Sequence, residues 1–139
     1  MKKLFVLCLI CLILLSVVLS ACSGNSGEQN PLKGTVWALE TLGESAAYPG
    51  VDVIIDFGDG EVQGNTGCNN FSGKYSIKKE TIEFKDISMT MMACQEPAIN
   101  AQENAFLNAL QLARSYRTDG NMLELLDEYG ETLMILRRY

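Results

Sequence analysis

The chain has 139 residues, 17 acidic against 11 basic side chains, a net charge of −6 and no histidine. That is one domain's length, and its acidic balance offers no general field for nucleic acid or anionic lipid headgroups. Without histidine, neither a Ser-His nor a Cys-His nucleophile pair can be built, and the common histidine-containing zinc sets are excluded.

The N-terminus "MKKLFVLCLICLILLSVVLSAC" has two lysines, an uncharged apolar run from Leu4 to Leu19, and small residues after it. This is the three-part pattern of a signal peptide, and its run is short for a membrane span, which needs about 20 residues. Leu19-Ser20-Ala21-Cys22 matches a lipobox. A thiol at Cys22 would accept a diacylglyceryl group, and the small residues before it would admit the peptidase. Residues 1–21 are therefore expected to be a lipoprotein signal peptide, and Cys22 the lipidated N-terminus. Residues 22–31, polar and rich in Gly and Ser, read as a flexible tether. Residues 32–139 are expected to form the domain. Cleavage removes Lys2 and Lys3, leaving nine basic residues against 17 acidic ones, a net charge of −8. The expected location is outside the cytoplasm, lipid-anchored at the cell membrane or outer membrane.

Past the tether the chain reads mostly as short strands. "GTVWALETL" carries the only tryptophan, Trp37. "VDVIIDF" places Val51, Val53, Ile55 and Phe57 on one face and Asp52, Ile54 and Asp56 on the other. "GDG" at 58–60 turns the chain and "EVQGNT" returns it. The "DFGDG" run lacks the alternate acids and the distant glutamate of a calcium loop, so a plain hairpin turn is favoured. "GNTGCNNFSGKY" at 64–75 follows. Its glycines allow tight bends, and Asn69 and Asn70 are expected to bond their own backbone two residues on. Gly73 within a strand suggests close approach by another backbone or a large ring, with Trp37 or Tyr75 suiting that role. The stretch contains no phosphate-loop signature. "TIEFKDI" alternates again, and "SMTMMAC" is apolar up to Cys94.

The period then changes. Residues 97–114 read as one amphipathic helix, with Pro97 in its first turn. Ile99, Gln102, Phe106, Ala109, Leu110 and Ala113 form its stripe. "RSYRT", a turn at Asp119-Gly120-Asn121, "MLELLD", a Glu-Tyr-Gly turn and "TLMILRR" complete the chain. The expected fold is mainly β (α+β): a small distorted antiparallel β-barrel of about eight strands with one α-helix, which covers an open end or a broad opening between strands.

Cys8 and Cys11 leave with the signal peptide and Cys22 is lipidated, so Cys68 and Cys94 remain. An even pair in an exported domain defaults to a disulfide. Two free thiols are the alternative, and a two-cysteine metal site is weaker because no histidine completes it. The 17 acids leave a carboxylate pair open on paper, but no spacing marks two of them out.

Three motifs in this order, "GCNNFSGKY", "TMMAC" and "QENAFLNAL", resemble the META domain of the HslJ-like lipoproteins, as does the opening "LKGTVWALETL". The similarity runs over essentially all of 32–139. Its motif positions here are Gly67, Cys68, Asn69, Gly73, Tyr75, Thr90, Met92, Ala93, Cys94, Glu103, Phe106 and Leu110. The resemblance implies a small distorted β-barrel with one helix. It also implies pairing of the Gly67-Cys68-Asn69 turn with Met92-Ala93-Cys94, and an envelope location. Some members of that family are linked to heat induction and novobiocin resistance, and eukaryotic relatives to virulence. It supplies no catalytic residues, cofactor or metal.

The functional expectation is a non-enzymatic, monomeric envelope module for binding or for stress and drug tolerance, held to the membrane by its lipid. One alternative is a carrier of a lipophilic ligand in the barrel, suggested by apolar residues on both strand faces (Ile54, Leu126, Met134, Leu136). The other is docking to an envelope protein partner through sheet edges and exposed methionines, Met89 and Met91.

Overall fold

The computed structural model describes residues 30–139. The expected signal peptide, Cys22 and nearly all of the tether lie outside the described residues. The elements are β1 (Thr35–Leu42), β2 (Ser45–Ala46), β3 (Ile54–Phe57), β4 (Glu61–Asn65), β5 (Asn70–Lys78), β6 (Thr81–Met89), α1 (Pro97–Leu112), β7 (Ser115–Thr118), β8 (Met122–Leu126) and β9 (Thr132–Arg138).

All pairings are antiparallel, in the order β2-β1-β3-β4-β5-β6-β7-β8-β9, and β1 also pairs with β9. The sheet is thus ring-like, in line with the β-rich class expected, and among the described residues there is one helix, as expected. The sheet has nine strands rather than about eight. The extra one is β2, a two-residue flap on the end of β1 too short to leave a pattern in sequence. The ring is not a strict barrel. β6 and β7 share one paired position, Thr81↔Ser115, before they diverge, and α1 is the segment that connects them. The helix contacts β1, β6, β8 and β9.

The helix starts at Pro97 as expected but ends at Leu112, two residues short of the expected 114. Ala113 still donates to the Ala109 carbonyl (3.0 Å), but the Arg114 amide bonds to Leu126 O (2.8 Å) instead. The chain is already committed to the sheet there. "SMTMMAC" is split: Ser88 and Met89 finish β6, and residues 90–96 form an irregular connection to the helix. Asp119 Oδ1 accepts from Asn121 N (2.8 Å) and Met122 N (2.7 Å), fixing the β7–β8 turn where the sequence placed it.

The core fills the ring. Trp37, Phe57, Phe106, Leu123, Leu125, Met134 and Leu136 are fully or almost fully buried, and Leu126 with them. Leu126, Met134 and Leu136 therefore belong to the interior, while Ile54 is half-buried. Alternation in β3 and β5 does what period two requires: Ile55 and Phe57, then Phe71 and Tyr75, point inward. The Tyr75 ring meets Phe57 edge-on at 4.9 Å. Its hydroxyl donates to Gly58 O (2.8 Å) and accepts from Asn30 Nδ2 (2.7 Å). The Trp37 indole donates to Thr35 Oγ1 (2.6 Å), so the one tryptophan is buried with its polar edge satisfied.

Two strand glycines are required by space rather than by backbone angle. A Cβ at Gly73 would lie 2.4 Å from Ile87 Cδ1 and 2.9 Å from Lys85 O. The expected close approach is therefore real, but it comes from β6 at a register shift between Ser72 and Lys74, not from Trp37 or Tyr75. The ring sits instead at Gly64, where a Cβ would lie 2.8 Å from Phe71 Cε1 and 1.9 Å from Ile54 O.

Gly64→Ala is expected to destabilise the domain by about 2–3 kcal/mol or more, since a backbone oxygen cannot step aside as a side chain can. A lowered midpoint in urea, followed by Trp37 fluorescence, checks this. Tyr75 generates a pH prediction. Burial pushes its hydroxyl above the usual 10.0, the Asn30 hydrogen bond opposes this, nearby Asp59 adds to it and Lys33 subtracts. Below pH 10 the group is protonated in both folded and unfolded chains. As pH rises further the unfolded chain loses its proton first, so this contribution to stability falls until folded Tyr75 ionises. Alkaline absorbance measurements should show a late-ionising tyrosine that Tyr75→Phe removes.

Candidate functional site

The motif residues converge where the β4–β5 turn meets the connection between β6 and α1. The turn is local in origin. Asn65 Oδ1 accepts the Gly67 amide (2.7 Å), an Asx turn. Gly67 has φ +95°, a conformation glycine adopts without strain, and Val51 lies 3.3 Å from where a Cβ would be. Thr66 N donates to Asn69 O (2.8 Å), which closes the turn and aims the Asn69 side chain inward.

Asn69 is the centre. Its Oδ1 accepts from Thr90 Oγ1 (2.7 Å) and from Met92 N (2.8 Å). Its Nδ2 donates to Met92 O (3.3 Å) and to Glu103 Oε1 (3.0 Å). The two disulfide sulfurs each lie 3.7 Å from the same nitrogen. One buried amide thus grips both backbone polar groups of Met92 and reaches the helix as well. The expectation that Asn69 and Asn70 bond their own backbone is corrected. Asn65 performs the local turn, Asn69 reaches across the fold, and Asn70 Oδ1 accepts from Asn65 Nδ2 (2.9 Å). The reason is placement: Asn69 is 1% exposed, and inside the fold distant partners are nearer than its own next amides.

Glu103, on the second turn of α1, is buried too. Its Oε2 accepts from the Thr66 hydroxyl and from Asn69 N (3.2 Å). Both carboxylate oxygens are therefore occupied by donors of the β4–β5 turn, which is how a buried carboxylate is tolerated. Gln102 lies beside it. The sequence places Gln102 in the apolar stripe, and it is buried, but as a polar anchor: its Oε1 accepts from Tyr48 N (2.6 Å). Below them Phe106 meets Phe71 at 5.4 Å, and Leu110 is fully buried.

Cys68 and Cys94 form a disulfide, with Cα atoms 5.9 Å apart. It closes a loop of 26 residues in sequence separation, which the chain-entropy model values at roughly 3–4 kcal/mol. Thr90 adds a second tie: its amide donates to Asn70 O (2.9 Å) and its hydroxyl accepts from Asn70 N (3.1 Å).

The structure thus brings Gly67, Cys68, Asn69, Thr90, Met92, Cys94 and Glu103 together, with Phe106 and Leu110 packed behind Glu103 along the helix. Ala93 lies in the same connection with its side chain exposed. Gly73 and Tyr75 sit lower on β5 and serve the sheet and the core. Thr66 was passed over in the sequence, and only its place between Gly64 and Gly67 hinted at the turn. Met89, expected to be exposed, is half-buried against the core, because it pairs with Phe71 at the end of β6. Met91 and Met92 are the exposed pair.

Among the grooves away from this node, two differ in character. One, about 360 Å³ and open to solvent, runs over the outer face of β3–β5, between Asp56, Gln63 and the Lys74–Asp86 pair (3.5 Å). The other, about 220 Å³, is mostly apolar and lies between α1 and Leu42, Gly43 and Leu133. Among the described residues, no three Cys, Asp or Glu side chains converge as a metal site would require.

Residues 30–139 match the family model described as the META domain. Three solved structures share the fold. An NMR structure of a protein from Burkholderia xenovorans is 25% identical, with a TM-score of 0.63 over 79% of this chain and 88% of that one. A second NMR structure is 23% identical, with a TM-score of 0.63 over 78% and 94%. A crystal structure of a DUF4847 family protein from Bacteroides vulgatus is 18% identical, with a TM-score of 0.56 over 76% and 93%. No functionally curated protein matches the chain.

The node's geometry sets a sharp test. Glu103→Gln keeps the shape but replaces one acceptor oxygen with a donor facing Asn69 or Thr66. It is expected to destabilise the domain by about 1–3 kcal/mol, the scale of an unsatisfied buried group. Thermal denaturation checks it. An unchanged midpoint would show that the carboxylate is not structural.

Proposed function

This chain belongs to the META domain family, and on that premise we propose that it acts as a non-enzymatic, lipid-anchored binding module of the cell envelope. Its contact surface is the connection at residues 90–96, and its role lies in tolerance of envelope stress or drugs. The observation that carries this reading is the contrast within that connection. Its backbone is pinned from beneath by Asn69 and the disulfide, while Met91 and Met92 project into solvent. The polar groups that might have done chemistry are used up in holding it. Asn69 and Glu103 have every side-chain polar atom occupied inside the protein. An ordered apolar tip is suited to contact, because little conformational freedom remains to be lost on binding.

The direction of the tip supports a protein partner. Asn30, where the described chain begins, bonds Tyr75 in the middle of β5, whereas Met89 pairs with Phe71 near that strand's start. Four residues of strand separate these levels, about 13 Å at the usual rise. A flexible tether that reaches Asn30 leaves the methionines free to face away from the membrane that holds the lipid. The occupant that fits is an envelope protein offering an apolar pocket to thioether side chains, which adapt well to such surfaces. The carrier alternative is less well supported, because the ring interior is filled by the domain's own core.

The test is complementation of a deletion strain with Met91→Asp/Met92→Asp. The variant should accumulate and melt like the parent protein yet leave cells as sensitive to envelope stress or drug as the deletion. A photo-crosslinker at position 91 should label a protein and not phospholipid. Full rescue by the double variant, or labelling of lipid alone, overturns the reading.

A further inference from the structure

The methionines of this domain meet solvent very unequally. Met91 is 96% exposed, Met92 56% and Met122 40%, whereas Met89 is half-buried and Met134 is 0% exposed. The first two are adjacent, and the backbone of Met92 is held. Met92 gives its amide to Asn69 Oδ1 (2.8 Å) and takes Asn69 Nδ2 on its carbonyl (3.3 Å). Two residues later Cys94 is bonded to Cys68. That bond also removes the usual competitor. Thiolates react with oxidants ahead of thioethers, and both cysteines among the described residues are already oxidised. The most accessible reactive sulfurs left on the domain are those of Met91 and Met92.

We propose that Met91 and Met92 form an oxidation site, whose co-substrate is a peroxide and whose product is methionine sulfoxide. A sulfur lone pair attacks one oxygen of hydrogen peroxide. The S–O bond forms as the O–O bond breaks, and the departing hydroxide takes the proton from the new S–OH group. One sulfoxide and one water result; the sulfur is oxidised by two electrons and the peroxide reduced by two. A thioether this exposed is also open to a sulfoxide reductase, which makes the change reversible. The sulfoxide turns an apolar tip polar while the groups that hold it, Asn69, Glu103 and the disulfide, are untouched. The consequence is a surface that changes character under oxidant while the fold stays intact. This rests on exposure and backbone geometry, not on the docking reading, and would hold if the tip had no partner.

The experiment is a time course of hydrogen peroxide on the full chain in detergent micelles, read by peptide mass spectrometry. Met91 and then Met92 should gain oxygen ahead of Met122, Met89 and Met134, with Met91 faster than Met134 by about tenfold or more. Protein oxidised only at the tip should melt where the untreated protein does, and Met91→Leu/Met92→Leu should abolish the fast phase. The proposal fails if Met89 or Met134 keeps pace, if tip oxidation lowers the melting temperature, or if the fast phase survives in the double variant.

Discussion

The hydrogen bonding of one buried side chain, Asn69, organises the upper end of this domain. A primary amide has two donors and an acceptor with two lone pairs. Here both donors and both lone pairs are directed, to Glu103, to both polar groups of Met92 and to the Thr90 hydroxyl. Buried amides of this kind are valuable only when complete, because each unmatched group carries a desolvation penalty of about 1–3 kcal/mol. That all-or-none character links the β4–β5 turn, the 90–96 connection and the helix into one unit. None of the three can shift without orphaning a polar atom in another.

The same node explains how an incomplete ring becomes a stable domain. β1 pairs with β9 to close one side, but β6 and β7 share a single paired position. The helix connects the two strands and packs on β1, β6, β8 and β9, with Phe106, Ala109 and Leu110 buried. Apolar burial alone would let a short helix slide or rotate on the sheet, since the hydrophobic effect is non-directional. Glu103 and Gln102 supply direction, through the β4–β5 turn and Tyr48. The disulfide acts on the same connection by a different route, shrinking the unfolded ensemble rather than orienting the folded one. Polar and covalent ties fix position, and the core supplies most of the driving force.

Much of this architecture was legible residue by residue. Alternation in β3 marked its inward face, and a change of period marked α1. Glycines and Asx residues marked the turns at 58–60 and 119–121. Elsewhere local reasoning failed where a residue's partner lay far along the chain. Gly73 signals a close approach in sequence, but the neighbours are Ile87 and Lys85 on β6, because the register shift is invisible from β5 alone. Gln102 fell into the apolar stripe because helical spacing reports which residues face inward, not whether a polar partner waits there. Sequence groups Met89 with Met91 as exposed, yet two residues separate a strand end packed on the core from a loop in solvent.

Sequence by itself determined the mainly β class, the helix that follows Cys94 and the turn positions, because these depend on backbone preferences and periodicities spanning a few residues. Tertiary structure alone decided that Asn69 would bond groups 21 to 34 residues away rather than its own backbone. It also decided that β1 would close on β9, and that Met91 and Met92 would be left outside. The physical reason is that a buried polar group takes whichever partners chain closure brings within about 3 Å. Which segments meet is a property of the whole ring, not of any stretch within it.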